Sequence, residues 1–235
     1  MLYLRRADER GKADFGWLDS RHTFSFGHYY DPKHMGISAL RVINDDTVAP
    51  GAGFGTHGHR DMEIISYVLA GAIAHKDSMG NEFVVPAGEV QRMTAGTGVT
   101  HSEYNHSKTE PLKFLQIWVI PNQRNLPPGY EQKAIPQVGS LTPLVTADGR
   151  DGSLTVHQDT SLYRLQLHAG ETETLNTTDG VGYLHIIEGG LEANGQALGG
   201  GDGLGALDEP LTVRAGAGGV TALWFDLPRQ VEQRG

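Results

Sequence analysis

Short runs of apolar residues alternate with turn-forming residues along the first half of the chain. Gly, Pro, Asn and Asp bound these runs, which is the pattern of strands in an antiparallel sheet. No segment shows the long 3.6-residue apolar repeat of an amphipathic helix. We therefore expect an all-β fold, with early strands at 38–46, 62–71, 82–88 and 111–121.

The second half repeats this alternation after a break. The segment 121–132 contains three prolines and interrupts the strand pattern, as a linker would. We therefore expect two domains, residues 1–125 and 141–235, joined by a linker at 126–140. Further strands are predicted at 153–158, 161–170, 181–195, 210–216 and 220–228.

Composition narrows the classes of function. The formal net charge of −9 argues against direct binding of nucleic acid, which needs a basic surface. No apolar run is long enough to span a membrane. The first residues carry charge rather than an apolar leader, which predicts a cytoplasmic protein. Without cysteine, any metal site must use nitrogen and oxygen ligands.

Two short motifs contain closely spaced metal-binding residue types. His57 and His59 lie in GFGTHGHRDMEII (53–65), and His101 and Glu103 lie in HSEYN (101–105). Residues two apart in a strand point to the same face of a sheet. Two such strands facing each other inside a barrel would surround one point with three imidazoles and a carboxylate. These ligands suit Fe, Mn, Co, Ni, Cu or Zn.

The residues around these motifs resemble the two-motif pattern of the cupin superfamily. That pattern has a glycine before HxH, a glutamate after it and a closing glycine, which fall here on Gly51, His57, His59, Glu63 and Gly71. A second glycine and the PAG of 86–88 follow. Two departures occur: Gly71 comes one residue late, and twelve residues separate Gly88 from His101.

The late second histidine is typical of the pirins, a family of cupins. The resemblance is strong over the first 125 residues and weaker beyond. It rests on GWLDSRHTFSFGHYYDP (16–32), RVINDD (41–46), FGTHGHRDMEI (54–64), HKDSMGN (75–81) and TAGTGVTHSEYN (94–105). It implies two tandem cupin-type jelly-roll β-barrels, a bicupin. It also implies one divalent metal ion, Fe(II) by preference, with His57, His59, His101 and Glu103 as ligands.

Glu63 is an alternative candidate for the carboxylate ligand, because many cupins use the glutamate that follows the HxH motif as a metal ligand. The pirin resemblance favours Glu103. Glu63 and Asp61 would then accept hydrogen bonds from ligand imidazoles or lie on the surface.

The second half is similar to a degraded copy of the first. Setting Gly189 against Gly71 places His57 on Leu175, His59 on Thr177 and Glu63 on Val181. We therefore expect a C-terminal cupin-like domain that lacks metal ligands and supports the first domain.

The pirin resemblance implies an activity as well. Several pirins are quercetin 2,3-dioxygenases, which cleave the central ring of a flavonol with O2 and release carbon monoxide. In this hypothesis Glu103 helps to deprotonate the substrate. The alternative is a metal- or redox-responsive regulatory protein that binds a protein partner. The third hypothesis is a metallo-cupin with a different chemistry, such as an isomerase or a hydrolase.

The remaining histidines and aromatic residues carry weaker expectations. The other histidines, among them His75 and His157, are interpreted as isolated structural or surface residues. A flat aromatic ligand would need an apolar wall, for which the candidates are Phe24, Phe26, Tyr29, Tyr30 and Trp118.

Overall fold

A computed structural model describes residues 1–231, which form twenty β-strands and two short 3-10 turns, Ala7–Glu9 and Arg150–Gly152. The first eleven strands are β1 (Leu2–Arg5), β2 (Gly11–Asp14), β3 (Leu18–His22), β4 (Leu40–Val48), β5 (Gly53–His59), β6 (Glu63–Ala70), β7 (Ala72–Asp77), β8 (Glu82–Pro86), β9 (Glu89–Thr94), β10 (Val99–Asn105) and β11 (Leu112–Val119). The others are β12 (Gly129–Ala134), β13 (Leu141–Thr146), β14 (Leu154–Thr155), β15 (Ser161–Leu167), β16 (Thr172–Leu175), β17 (Val181–Ala193), β18 (Gln196–Gly199), β19 (Gly203–Leu207) and β20 (Leu211–Leu227).

Two sheets face each other to form the first barrel. Seven strands lie in the order β12-β9-β6-β11-β4-β3-β2, and four lie in the order β5-β10-β7-β8. Apolar side chains from both sheets pack between them, including Val68 and Phe114 from the larger sheet and Ile73 and Val85 from the smaller. This is the double-sheet arrangement of a jelly roll.

The second barrel is built from one sheet that folds over its own apolar face. Its central strands β17 and β20 are long and bent, so that both halves of each strand contact the same core. The bend falls at Gly189, which has a φ of +78° and lies against the backbone of Gly219. A side chain there would overlap the Gly219 carbonyl oxygen, so glycine allows the two strands to turn together.

A third apolar cluster joins the barrels. Ile65 and Leu115 on the outer face of the first barrel pack with Leu144, Leu162 and Phe225 of the second. Strand β6 is therefore buried on both faces, since Ile64 and Val68 point into the first barrel. This explains the nearly continuous apolar run of its sequence.

Two strands pair across the expected domain boundaries. Strand β1 pairs with β19 of the second barrel, and β12 pairs with β9 of the first although it lies within 126–140. The division into 1–125, 126–140 and 141–235 stays a prediction.

The all-β fold with two cupin domains is confirmed. The four strands predicted in the first half correspond to β4, β6, β8 and β11. The runs at 210–216 and 220–228 are one bent strand, β20, rather than two, and its pairing with β17 shifts register at the glycines between the runs. Within residues 1–231, no helix is long and apolar enough to cross a membrane.

Candidate metal centre

The three predicted histidine ligands lie on neighbouring strands of the four-stranded sheet. His57 and His59 are on β5, and His101 is on β10 directly opposite His57. Because strand side chains alternate, all three rings project to the same side. His57 is exposed, His59 is half-buried and His101 is buried.

The three imidazoles converge through their Nε2 atoms. His101 Nε2 lies 3.0 Å from His59 Nε2 and 3.1 Å from His57 Nε2. His57 Nδ1 lies 2.7 Å from the Gly55 carbonyl oxygen, to which it donates a hydrogen bond. A neutral ring that donates through Nδ1 directs a lone pair from Nε2. The backbone of β5 therefore prepares His57 as an Nε2 ligand.

Burial keeps the His59 and His101 rings neutral. Desolvation, reinforced by the neighbouring imidazoles, lowers the pKa of His59 to about 4 and that of His101 to about 3. Both rings therefore keep a lone pair at neutral pH, which metal binding requires.

The spacing of the nitrogens fits a divalent metal ion. With bonds of about 2.1 Å, ligands at right angles lie roughly 3.0 Å apart and tetrahedral ligands roughly 3.4 Å apart. The distances of 3.0 and 3.1 Å fall in the range that nitrogen ligands of one metal ion span.

Glu103 lies beside His101 inside the barrel. Its Oε1 accepts hydrogen bonds from Gln91 Nε2 at 2.6 Å and from Ser66 Oγ at 3.3 Å. Its Oε2 accepts one from Gln116 Nε2 at 2.8 Å. One ligand atom from each of Glu103, His101 and His75 lies within 4.8 Å of the other two. The carboxylate is thus fixed in place next to the three-histidine cluster, and its part in a four-ligand set stays a prediction.

Glu63 points away from the cluster. It is fully buried at the junction of the barrels, where Thr94 Oγ1 donates to its Oε2 at 3.1 Å. His157 of the second domain donates to its Oε1 at 3.4 Å, and this contact raises the pKa of His157. Asp61 accepts a hydrogen bond from the Asn125 backbone N–H at 2.7 Å. Within residues 1–231, neither carboxylate accepts a hydrogen bond from His57, His59 or His101, and Glu63 instead contributes to the contact between the domains.

Sequence reasoning overlooked His75. It lies on β7, next to β10, with its ring centroid 5.5 Å from that of His101. His75 Nε2 contacts Asp77 Oδ2 at 3.0 Å. Burial would raise the pKa of Asp77, but hydrogen bonds from His75, Asn81 and Met79 hold it below its usual value. The spacing of His75 and Asp77 by two residues was the signal available in the sequence.

Two of the five candidate aromatic residues lie at the cluster. The Trp118 ring meets His59 edge-on at 5.2 Å, and Phe26 meets Trp118 at 5.3 Å. Phe24 instead packs on Tyr183 of the second domain, and Tyr29 stacks with His22. Tyr30 is 70% exposed.

Among residues 1–231, both groups of side chains close enough to share a metal ion lie in the first barrel. A cavity of about 1080 Å³ in the second domain has the polar residues Gln137, His168, Glu171 and Glu188 in its lining. It is remote from the histidine cluster, so cavity size does not identify the reactive site here.

Comparison with known proteins agrees with this architecture. Residues 4–119 match the Pirin family and residues 144–227 match the quercetinase C-terminal cupin domain. A protein of Escherichia coli K12 named quercetin 2,3-dioxygenase is 49% identical over 229 residues, which cover 97% of this chain and 99% of that protein. A pirin-like protein of Caulobacter vibrioides is 42% identical and covers 89% of this chain and 92% of its own length.

Solved structures agree with the fold and with a metal centre. The structure of YhhW from E. coli has a TM-score of 0.95 and 48% identity, with both chains fully covered. The nickel(II) complex of bacterial pirin YhhW has a TM-score of 0.93 and 49% identity, and covers 97% of this chain and 99% of its own. With its histidine cluster and its two cupin domains, this chain belongs to the pirin family.

Proposed function

We propose that the protein is a metal-dependent oxidoreductase of the quercetin 2,3-dioxygenase type. It would cleave the central ring of a flavonol with O2 and release carbon monoxide. The observation that carries this proposal is the convergence of three imidazoles at one accessible point, with Nε2 atoms 3.0 and 3.1 Å apart. The 49% identity to a protein named for this activity supports the same reaction.

The proposed metal ligands are His57, His59, His101 and Glu103. Histidine and carboxylate ligands with open positions are typical of non-haem Fe(II) oxygenases, so Fe(II) is our choice for the native ion. Mn, Co, Ni, Cu or Zn would compete for the same ligands. When bound, the ion would polarise the flavonol 3-hydroxyl and 4-keto oxygens and provide a position for O2.

In this proposal Glu103 is also the base that takes the proton of the flavonol 3-hydroxyl. A base must be held within reach of the proton it removes. Gln91 and Gln116 each donate to one oxygen of Glu103, which fixes the orientation of the carboxylate.

Phe26 and Trp118 are proposed to contact the flat rings of the substrate. Trp118 lies beside His59 and Phe26 lies against Trp118, at the side of the cluster where the imidazoles are more accessible. Aromatic faces at that place favour a planar ligand and exclude water from the reacting ring.

The division into a metal domain (1–125), a linker (126–140) and a supporting domain (141–235) belongs to this proposal. The partly buried contact between His157 and Glu63 supports a structural role for the second domain. A cytoplasmic location stays a prediction from the sequence.

Anaerobic loading with Fe(II), followed by quercetin and O2, tests the activity. Loss of flavonol absorbance with release of carbon monoxide is expected, and both should disappear in His101→Ala. Parallel loading with Ni(II), Mn(II) and Co(II) would identify the ion that supports the fastest turnover. Tight metal binding without turnover by any of these ions would contradict the enzyme and favour the regulatory alternative with a protein partner.

A further inference from the structure

His75 and Asp77 form a buried pair beside the histidine cluster. In the antiparallel pairing of β7 with β10, Asp77 lies opposite His101 and His75 lies opposite Glu103. His75 is 1% exposed, and the Asp77 side chain has no exposed surface. The pair comes from the HKDSMGN segment, to which the proposed reaction assigns no part.

The contacts of Asp77 determine which nitrogen of His75 carries hydrogen. Its carboxylate accepts hydrogen bonds from the backbone N–H groups of Met79 and Asn81, from Asn81 Nδ2 and from His75. A carboxylate surrounded by donors acts only as an acceptor, so His75 Nε2 carries the hydrogen. The neutral ring then has its lone pair on Nδ1. Within residues 1–231 this buried Nδ1 has no hydrogen-bond partner.

His101 requires the opposite arrangement, with the hydrogen on Nδ1 and the lone pair on Nε2. Its Nε2 faces His57 and His59, so binding a metal there requires the hydrogen to be on Nδ1. Among the described residues, that buried Nδ1 also lacks a hydrogen-bond partner. A nitrogen of His75 lies within 4.8 Å of a nitrogen of His101. A buried donor and a buried acceptor, both unsatisfied, therefore belong to adjacent rings.

Packing keeps His75 in place. The ring of Tyr130, on β12, lies 4.7 Å from the His75 ring, and Phe83 stacks on Tyr130 at 5.4 Å. His75 is therefore confined between Tyr130 and His101, while Asp77 holds its Nε2.

We propose that His75, oriented by Asp77, is a positioning residue that accepts the Nδ1–H of His101 when His101 binds the metal. The contact requires the two Nδ1 atoms to approach each other, since among residues 1–231 neither has a hydrogen-bond partner. The bond would fix the tautomer of His101 with its lone pair on Nε2 and would increase the basicity of that ligand. This inference rests on the proposed assignment of His101 as a metal ligand.

Two conservative variants test the roles of the two nitrogens of His75 independently. The amide of His75→Asn places an oxygen near the position of Nδ1 and loses the contact with Asp77. The amide of His75→Gln reaches Asp77 and loses the acceptor near Nδ1. Asp77→Asn provides a third variant. Its amide oxygen keeps the hydrogen bonds from the Met79 and Asn81 backbone N–H groups, so its NH2 group faces His75. The NH2 group then donates to His75 Nε2 and reverses the tautomer of His75.

The measurement is the dissociation constant for Ni(II), by competition with a chelator, together with the visible spectrum of the Co(II)-loaded protein. Loss of a hydrogen bond to a ligand histidine typically costs 10–100-fold in metal affinity, so we expect about that loss in His75→Gln and Asp77→Asn. His75→Asn should stay within roughly threefold of the wild type, because it keeps an acceptor for His101. The Co(II) spectrum should change in the two weakened variants.

Several controls separate this role from general stability. His185→Gln replaces a histidine of equal burial in the second barrel, and should leave Ni(II) affinity unchanged. Wild-type affinity in a folded His75→Gln, or equal losses in His75→Asn and His75→Gln, would overturn the proposal. If His75→Gln does not fold, Asp77→Asn with wild-type affinity would overturn it instead. Wild-type affinity in His101→Ala would show that the ligand assignment itself is wrong.

Discussion

The two barrels of this protein share a fold but differ in what they enclose. Inside the first barrel, Ser66, Gln91, Glu103 and Gln116 form a hydrogen-bonded group next to the three histidines. Inside the second, the corresponding space is filled by apolar side chains such as Leu165, Leu184, Ile186, Ala222 and Trp224. In the first barrel, inward-facing strand positions carry the polar groups of the candidate site. In the second barrel, inward-facing positions carry apolar side chains that stabilise the fold.

A polar interior carries a physical cost that the second barrel avoids. Buried polar groups must be hydrogen-bonded, or they destabilise the fold. In the first barrel, burial raises the pKa of Asp46 to about 7, and its Oδ1 has no hydrogen-bond partner within residues 1–231. The apolar cluster between the barrels allows the second to support the first.

The largest effect is expected from removing a proposed ligand of the first barrel. His101→Ala deletes the Nε2 that lies within 3.1 Å of both other histidines. Metal affinity should fall by more than the 10–100-fold typical of changes outside the ligand set. Metal content after gel filtration and flavonol turnover would measure this effect. Retention of stoichiometric metal by the variant would contradict the site.

Truncating the core of the second barrel should affect stability and not metal binding. Ile186 is fully buried in that core, so Ile186→Ala should lower the free energy of unfolding by about 2–5 kcal/mol. Urea unfolding would measure this loss, and Ni(II) titration of the folded variant would serve as the comparison. A parallel loss of Ni(II) affinity would show that the two barrels are coupled more tightly than their separate cores indicate.

A smaller effect is expected from loosening Glu103. Gln116→Leu keeps the approximate volume and removes the donor to Oε2 of Glu103, which lies 2.8 Å away. Metal affinity should fall about 10–100-fold, because an outer partner of a ligand is lost. Isothermal titration with Ni(II) would measure the change. A Gln116→Glu variant, which places a second carboxylate against Glu103, should weaken binding further or shift it to higher pH.

The smallest effect concerns the contact between the barrels. The hydrogen bond to Glu63 raises the pKa of His157 above its ordinary value, despite partial burial. A group with a raised pKa stabilises the fold fully below about pH 6.5, and this contribution is lost as the pH rises through the folded-state pKa. His157→Gln should therefore lower Tm at about pH 5.5 and have little effect at about pH 8.5. The change is small because the His157 side chain is 43% exposed. A Tm difference that does not depend on pH would show that the contact is not ionic.

Much of the fold can be predicted from the local pattern of apolar, polar and turn-forming residues. Strands β4, β6 and β11 were predicted because β-branched and aromatic residues between turn signals favour extended chain. The separation of β20 into two strands was wrong, since glycine is read as a break even where it only permits a bend. The pairing of β1 with β19 was inaccessible, because nothing local in residues 2–5 specifies a partner some two hundred residues away.

The candidate metal site, like the fold, has one part that the local sequence pattern predicts and another that only the tertiary structure shows. The period of two placed His57 and His59 on one face, and this follows from the geometry of any strand. The different surroundings of Glu63 and Glu103 depend on the neighbours of each strand, which the sequence does not show. Both faces of β6 are buried, one in the barrel and one against the second domain, so alternation cannot tell which face Glu63 occupies.

The sequence by itself therefore determined the all-β class, the paired strand motifs and the candidate metal-binding side chains, because these depend on residue type and local periodicity. Only the tertiary structure decided that Glu63 contacts His157, that Glu103 is held by Gln91 and Gln116, and that His75 lies beside His101. Those contacts arise from the register and order of strands far apart in the chain. Register is set by the burial of whole sheet faces, a property that no short segment contains.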